Sequence, residues 1–288
     1  MAAISNQMRQ KMSPWIALLR WIALRRPHLP GLYRLLRLSH HPDRRTDFYY
    51  AITLQATPEE PWFALETRYF TDWQIFFFGT QDKLLEGWIC EHVKQNWVCI
   101  DIGANIGLYS VHMARRAAYC IAFEPIPRFA SRLEQNLHLN SLSNVDVERC
   151  ALSDCNNQGV LFLPPEAHSN WGASSLIRPQ GGEQIPVAMQ RLDDFFKSRE
   201  INRVDLIKID VEGAEHLVLK GGLTVIDRFQ PRIIFENNRE SGSEVIKMLG
   251  SLGYTFFDLK GQRLESATDQ QAIADVLALP RNNTTQHG

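Results

Sequence analysis

The sequence predicts an α/β protein with a mostly parallel, seven-stranded sheet, helices on both faces, and a mainly helical N-terminal extension. Three observations indicate this class. Short apolar runs recur along the chain, as in strands that are buried on both faces. Segments with apolar residues at helical spacing separate these runs. A turn bracketed by glycines joins one of the strands to its helix, which is typical of a nucleotide-binding βαβ unit.

The composition is that of a globular protein that can build a large core: 288 residues, 44% of them hydrophobic and 22% charged. The net charge of −1 argues against a polyanion as a partner of the whole surface. The charge is uneven, however, because residues 1–45 hold nine basic residues and one acid, giving +8 there and −9 elsewhere. The five cysteines lack metal-ligand spacing, which predicts free thiols in a reducing compartment, the cytoplasm.

Residues 14–26 predict a basic amphipathic helix within an extension that we place at residues 1–74. Its apolar run is interrupted by Arg20 and is too short to cross a bilayer, and no small-residue cleavage site of a signal peptide follows it. We favour packing of this helix on the protein. The apolar face expected to pack is formed by Trp15, Leu18, Leu19 and Ile22. Contact with the inner membrane surface, or with a partner, is the alternative.

The extension continues with helical, strand-like and aromatic-rich patterns before the main domain, which we place at residues 75–280. The predicted elements are a helix at 32–38, a linker turn at 40–45, a strand at 48–56, an aromatic packing segment at 66–78 and a helix at 81–94. A disordered tail is predicted at 281–288.

The stretch 97–124 is the centre of the main domain. A buried strand at 98–102 leads into the turn Asp101-x-Gly103-x-Asn105-x-Gly107, then a helix, then a second strand that ends in Glu124. Glycines permit backbone conformations and close approaches that a Cβ would block. The N–H groups at the start of a helix suit an anionic group, and an acid at the end of a second strand can accept ribose hydroxyls.

The number of glycines indicates which nucleotide binds. A dinucleotide fingerprint carries three glycines around a pyrophosphate. This turn carries two and is preceded by an acid, which is the pattern of S-adenosylmethionine (SAM) methyltransferases. We therefore predict SAM as the cofactor, with an NAD-dependent oxidoreductase as the less favoured alternative. The predicted cofactor-binding residues of this stretch are Asp101, Gly103, Asn105, Gly107 and Glu124.

Strand and helix patterns continue to the end of the domain. The predicted strands are 145–150, 204–210, 232–235, 253–259 and 272–279, and the predicted helices are 128–140, 191–198, 211–220 and 241–252. Residues 158–190 break this rhythm and predict a hairpin insert or a loop that sets acceptor specificity. Ser153 and Asp154 follow the third strand of the domain. We predict them at the adenine edge, because ligands lie outside the carboxyl ends of parallel strands.

A second group of polar residues follows the fourth strand of the domain, in Lys208-Ile-Asp210-Val-Glu212-Gly-Ala-Glu215. This strand end faces the same cleft as the glycine turn. We predict Asp210 as the catalytic base and Glu236, at the next strand end, as the second candidate. Lys208 is predicted to lower the pKa of a neighbouring carboxylate or to bind an acidic acceptor. Two alternatives stay open: Asp210 and Glu236 hold a divalent ion, or the acids only stabilise a helix N-terminus.

Together these segments resemble the FkbM-type SAM-dependent methyltransferases over roughly residues 75–258. The segments that carry the resemblance are 100–107, 123–125, 151–154, 191–195, 207–215 and 219–221. The resemblance implies a Rossmann-like methyltransferase fold and methylation of a hydroxyl on a sugar, glycan, polyketide or related metabolite. It also implies that the Asp101–Gly107 turn contacts the methionine part of SAM, that Glu124 binds the ribose, and that Asp154 binds the adenine.

Nucleic acid is not expected as a substrate. The fourth strand of the domain is not followed by the N-P-P-[YF] motif of enzymes that methylate base amines, and no basic, aromatic-interleaved strand offers a stacking surface. A non-catalytic module that binds SAM or docks on a membrane is the other alternative. The sequence pattern leaves the oligomeric state open.

Overall fold

The computed structural model describes residues 14–40, 50–52, 61–165, 174–177, 181–237, 241–265 and 275–281. The chain forms two compact units, one of Met1–Lys83 with Pro164–Gly172 and one of Leu84–Leu163 with Ala173–Gly288. The domain limits inferred from the sequence, at residues 74 and 281, stay predictions. The tail beyond Arg281 lies outside the described residues.

The first unit contains helices and a small antiparallel sheet. Its elements are α1 (Pro14–Arg25), α2 (Leu32–His40), β1 (Tyr50–Ile52), β2 (Ala64–Glu66) and α3 (Phe70–Phe78). The helices predicted at 14–26 and 32–38 are therefore confirmed, whereas most of the strand predicted at 48–56 lies outside the described residues. Trp73, Phe76 and Phe77 of α3 are fully buried, so the aromatic segment is core, as expected.

The buried face of α1 differs from the predicted one. Its buried residues are Ile16, Leu19, Arg20 and Ala23. The Arg20 guanidinium is accommodated because its Nε donates to the Phe76 carbonyl oxygen at 2.8 Å and the group lies 5.0 Å from the Phe76 ring centroid. Trp15 and Leu18, which we expected to pack, are exposed. Hydrophobic pattern alone misassigned this face because α1 is apolar on two opposite sides.

The second unit carries the central sheet. From residue 83 onward the elements are α4 (Lys83–His92), β3 (Val98–Ile102), α5 (Leu108–Ala114), β4 (Tyr119–Phe123), α6 (Pro127–Leu139), β5 (Val145–Glu148), β6 (Ala151–Leu152), β7 (Asn157–Phe162), β8 (Gln184–Gln190), α7 (Leu192–Lys197), β9 (Leu206–Ile209), α8 (Glu215–Gly221), α9 (Leu223–Phe229), β10 (Arg232–Glu236), α10 (Gly242–Ser251), β11 (Tyr254–Phe257) and β12 (Asp275–Pro280). The seven-stranded sheet has the order β11-β12-β10-β9-β3-β4-β5. Of the seven strands, β12 runs opposite to the other six, which confirms the predicted mostly parallel class.

The strand order reverses at β3. The chain passes from β3 to β4 on one side, and later returns to place β9 on the other side. Asp101 of β3 is paired in register with Lys208 of β9. Ligands of open α/β sheets lie outside the carboxyl ends of the strands at such a reversal. The topology therefore puts the turn after β3 and the turn after β9 at the expected binding edge.

Two other segments complete the comparison with the predicted elements. The insert contains the antiparallel hairpin β7–β8, with β6 beside β8, which confirms the hairpin alternative for its described residues. Helix α9 is absent from the predicted elements, because the preceding Gly221-Gly222 is typical of a helix end. Helix α8 begins at Glu215 rather than at 211, because Glu212 (φ 51°) and Gly213 (φ 99°) have left-handed backbones that a helix excludes.

The start of α9 depends on a buried carboxylate from α7. Asp193 Oδ1 accepts from the Val225 N–H at 3.0 Å, and Oδ2 accepts from the Thr224 N–H at 3.3 Å. We expect Asp193→Ala to lower the free energy of unfolding by about 1–3 kcal/mol, because two N–H groups at a helix start lose their acceptor. Urea unfolding monitored by circular dichroism measures the loss. Asp194→Ala, which removes the neighbouring carboxylate that binds Lys197, is the control and should change little; equal losses would contradict the assignment.

Candidate functional site

The turn after β3 requires glycine at its first position. Gly103 has φ +79°, and the N–H groups of Gly103 and Ala104 both donate to the Phe123 carbonyl oxygen at 3.0 Å. A Cβ on Gly103 would collide with the carbonyl oxygen of Asp210, at the end of β9. The turn therefore joins the carboxyl ends of three adjacent strands, and only glycine allows their close approach.

The other end of the turn has similar constraints. Asn105 has φ 52°, a left-handed conformation that Asn tolerates better than most residues. Gly107 has φ +85°, and a Cβ there would lie 2.9 Å from Leu133 Cγ of α6. Gly107 thus fixes the entry into α5 against α6, which is a packing reason for the second glycine of the motif.

Glu124 links the turn after β3 to the end of β4 through hydrogen bonds. Glu124 is 4% exposed, and its Oε2 accepts from the Asn105 N–H and its Oε1 from the Ile126 N–H, both at 2.8 Å. Burial raises the pKa of Glu124 to about 7, although both N–H donors favour the charged form. Each carboxylate oxygen retains a second lone pair, so the group can still accept hydrogen bonds from a ligand.

The raised pKa of Glu124 predicts a pH dependence of stability. The protonated carboxyl is favoured in the folded state, so its stabilising contribution is complete below pH 4.5 and is lost as the pH rises through about 7. We therefore expect the free energy of unfolding of wild type, measured relative to Glu124→Gln, to decrease between about pH 5 and about pH 8. Urea unfolding of both proteins across this range measures the difference. The other titrating groups are the same in both proteins, so their contributions cancel in the difference. A difference in the free energy of unfolding that does not change with pH would contradict the prediction.

Lys208 is buried between two carboxylates and an aromatic ring. Its side chain is 4% exposed, with Nζ 2.9 Å from Asp210 Oδ2 and 3.8 Å from Asp101 Oδ1. Nζ also lies 4.4 Å from the centroid of the Tyr109 ring. Burial by itself lowers the pKa of Lys208, but the two carboxylates outweigh burial and raise it. Ser110 Oγ donates to Asp101 Oδ2 at 2.5 Å, which fixes the deeper carboxylate.

Three acids form what we call the acidic cluster, made of Asp210, Glu212 and Glu236. One carboxylate oxygen from each lies within 4.8 Å of the other two. The side chain of Asp210 is 37% exposed, so its carboxylate connects buried Lys208 to solvent. Ser175 Oγ of the insert donates to the Glu212 carbonyl oxygen at 3.1 Å. The structure thus brings Asp210 and Glu236 together at adjacent strand ends and adds Glu212.

Other predicted polar residues have different surroundings. Glu215 is buried, where it accepts from the Gly213 N–H and from the Ser241 hydroxyl, so it stabilises the turn and α10. The Ser153 N–H donates to the Gln190 carbonyl oxygen at 3.0 Å, beyond the end of β6. Asp154 is exposed beside it. The Ser153 backbone is thus paired with the three-stranded sheet, and the adenine role of Ser153 and Asp154 stays a prediction.

Sequence reasoning missed Tyr109 and Ser110 as members of the site. Both belong to α5, all of whose residues are buried. A signal was present in the pattern, because a tyrosine and a serine stand two and three residues after Gly107 on a helix that is otherwise mainly apolar. The sequence does not show which residues they contact. Lys208 is about 100 residues away in the sequence and lies beside them because β9 pairs with β3.

The sheet order, the glycine turn and the strand-end acid define a Rossmann-like fold of the methyltransferase class. The family described as the methyltransferase FkbM domain matches residues 101–256, more than half of the chain. The protein belongs to this FkbM methyltransferase family.

Named relatives are similar over much of the same region. Methyltransferase sdnD of Sordaria araneosa is 32% identical over 212 residues, covering 62% of this chain and 80% of the relative. The 31-O-demethyl-FK506 methyltransferase FkbM of Streptomyces tacrolimicus is 29% identical over 205 residues, covering 61% and 75%. The 2-O-methyltransferase NoeI of Sinorhizobium fredii (strain NBRC 101917 / NGR234) is 31% identical over 145 residues, covering 45% and 58%.

Proposed function

We propose that this protein is a SAM-dependent O-methyltransferase that acts on a hydroxyl of a sugar, glycan, polyketide or related small molecule. The observation that carries the proposal is the contact between the two motif turns, in which Gly103 lies against the backbone of Asp210 and the Asp210 carboxylate stays accessible. Family membership supports methyl transfer. The names of two relatives support oxygen as the acceptor atom, since one is a 2-O-methyltransferase and one methylates a 31-O-demethyl compound.

The residues present fit SAM. Gly103 lets the turn lie directly against the backbone of Asp210, and the buried Glu124 carboxylate has spare lone pairs for the two hydroxyls of a ribose. We assign the methionine part to the Asp101–Gly107 turn, the ribose to Glu124, and the adenine to the side of Ser153 and Asp154. When bound, SAM supplies an electrophilic methyl group on a sulfonium, which needs no further activation.

The work left to the protein is positioning and proton removal. A hydroxyl that becomes an ether oxygen must lose its proton, and a carboxylate within hydrogen-bond reach can take it. We assign this base to Asp210, because it is the member of the Lys208–Asp101–Asp210 group that reaches solvent. Holding the two reactants in line supplies the larger part of the acceleration.

We assign to Lys208 the role of orienting the Asp210 carboxylate, and not that of contacting the acceptor. Its side chain is buried, and its ammonium is already engaged by two carboxylates and the Tyr109 ring. An ion pair at 2.9 Å restricts the Asp210 carboxylate to one orientation. The buried pair Lys208–Asp101 would thus hold the partly exposed catalytic base, Asp210, in a fixed position.

The acidic cluster supports a second form of the same mechanism. Three carboxylate oxygens within 4.8 Å of one another match the oxygen ligands that Mg²⁺ and Ca²⁺ take. In this form Asp210, Glu212 and Glu236 would hold a divalent ion, and the ion would polarise the acceptor hydroxyl. Turnover that is unaffected by EDTA favours the simple base. Turnover that is lost in EDTA and restored by a divalent metal favours the ion.

The insert is the proposed source of acceptor specificity. Its described residues reach the acidic cluster through the Ser175 hydroxyl and the Glu212 carbonyl. The hairpin β7–β8 is attached to that contact through the backbone pairing of Phe162 with Ser175. A segment held in this way can place side chains beside the base, which is where an acceptor hydroxyl must arrive.

Calorimetric titration of the purified protein with S-adenosylhomocysteine, with NAD as the parallel ligand, tests the cofactor. Micromolar binding of S-adenosylhomocysteine alone is expected. Binding of NAD instead would replace the class with an oxidoreductase, and binding of neither would favour a non-catalytic module. Incubation with SAM and a panel of hydroxyl-bearing sugars and polyketides, followed by mass spectrometry, then identifies the acceptor by the added methyl group.

A further inference from the structure

Helix α1 of the first unit is apolar on two opposite sides. One side packs on the protein through the buried residues described above. On the other side Trp15, Leu18 and Trp21 are 56%, 46% and 53% exposed. At 100° per residue, a spacing of three places these side chains within a sector of about 120° that points away from the buried set. We call this group of three residues the outer face of α1.

Exposed aromatic side chains in this arrangement are unusual for a surface helix. A helix that packs on a protein normally turns polar residues to the opposite side. Two tryptophans and a leucine at helical spacing form instead a continuous apolar strip, and such strips on soluble proteins mark interaction sites. Tryptophan is also the side chain enriched at the boundary between lipid and water, because its ring is apolar and its N–H is polar.

Basic residues lie at the C-terminal end of the outer face and on the next helix of the same unit. The Arg25 guanidinium lies 4.6 Å from the ring centroid of Trp21, and Arg26 is exposed directly after it. On α2, Arg34 and Arg37 are exposed. In the sequence, the first acid of the chain is Asp43. Residues 14–40 therefore carry four exposed arginines and no acidic residue.

We propose that the outer face of α1 binds the surface of an anionic lipid bilayer. The helix would lie in the plane of the interface, with Trp15, Leu18 and Trp21 inserted among the acyl-chain ends and the arginines at the lipid phosphates. No helix within the described residues is both long enough and apolar enough to cross a bilayer, so the contact is peripheral. Two copies of this basic face would repel each other, which disfavours a dimer through the same strip.

The experiment is sedimentation of the full chain with vesicles of phosphatidylcholine, with and without phosphatidylglycerol. We expect binding to the anionic vesicles only, and a decrease as salt is raised, because basic residues are attracted to the surface charge. Trp15→Ser combined with Trp21→Ser should lower the bound fraction about tenfold or more. The matched control is Leu223→Ser, which removes an exposed apolar side chain of α9 in the second unit.

The outcomes separate this inference from the proposed reaction. The double variant should retain wild-type affinity for S-adenosylhomocysteine and wild-type circular dichroism, because the substituted side chains are largely exposed. Equal vesicle binding by wild type and the double variant would overturn the proposal. It would also be overturned if wild type ignored anionic vesicles while gel filtration showed a dimer that the double variant abolishes, since a second copy would then occupy the strip.

Discussion

Gly103→Ala is expected to abolish measurable binding of S-adenosylhomocysteine, with a loss in affinity of at least about a hundredfold. Two effects of the added methyl group act together. It would meet the Asp210 carbonyl oxygen at a distance that no Cβ tolerates, and it would sit on a backbone with φ +79°. To relieve this, the turn after β3 must move away from β9. The Asp101–Gly107 turn, to which we assign the methionine part of SAM, would therefore change shape.

A matched glycine distinguishes the collision from the backbone strain. Gly181 has φ +74°, but a Cβ there would meet nothing within 4 Å. Gly181→Ala should therefore cost only about 1 kcal/mol of stability and leave ligand affinity unchanged. Calorimetry measures the affinity of both variants, and thermal unfolding shows whether Gly103→Ala remains folded. A folded Gly103→Ala protein with undiminished affinity would refute the placement of the cofactor at this turn.

Asp210→Asn is expected to lower turnover by about 10²–10⁴-fold while leaving S-adenosylhomocysteine affinity within a few fold of wild type. The amide cannot take the proton of the acceptor hydroxyl, yet it nearly preserves the volume of the carboxylate. The exposed position of Asp210 makes the substitution tolerable. It also removes the carboxylate that lies 2.9 Å from Lys208 Nζ, so a modest change in stability is expected.

The control for this substitution is Asp227→Asn, an exposed acid of α9, which should retain full turnover. Methyl transfer from labelled SAM measures the rate, and calorimetry measures cofactor affinity in the same preparations. If Asp210→Asn turns over as fast as wild type, Asp210 has no role in the reaction, and Glu236 becomes the candidate base. Should cofactor affinity fall together with turnover, Asp210 would be a binding residue instead.

Much of the fold could be predicted because its signals are local. Buried parallel strands such as β3 read as short apolar runs, and their helices read at a period of 3.6 residues. The positive φ of Gly103 and Gly107 was likewise implied by the motif that requires glycine. The family could also be predicted from short segments, and the match of residues 101–256 to its domain confirms that prediction.

Errors occurred where local patterns compete. Helix α9 directly follows two glycines, and its N–H groups are capped by Asp193, a residue about 30 positions earlier in the chain. No local pattern shows that contact. Glu212 was placed in a helical turn from its position, but it has φ 51° beside Gly213. A left-handed, non-glycine residue is sustained only by surrounding contacts, such as the bond of its carbonyl with Ser175.

The sequence by itself determined the class of fold, the glycine turn, the strand-end acids and the family, because each depends on residue types at short spacings. The tertiary structure alone decided which groups meet. Lys208 lies between Asp101 and Asp210 because β3 and β9 are neighbours in register, although far apart in the chain. It also shows that α1 turns Trp15 and Trp21 outward, because the opposite side of the helix, which includes Leu19 and Arg20, is buried. Long-range pairing and burial are cooperative properties of the whole chain, and spacing along one segment does not contain them.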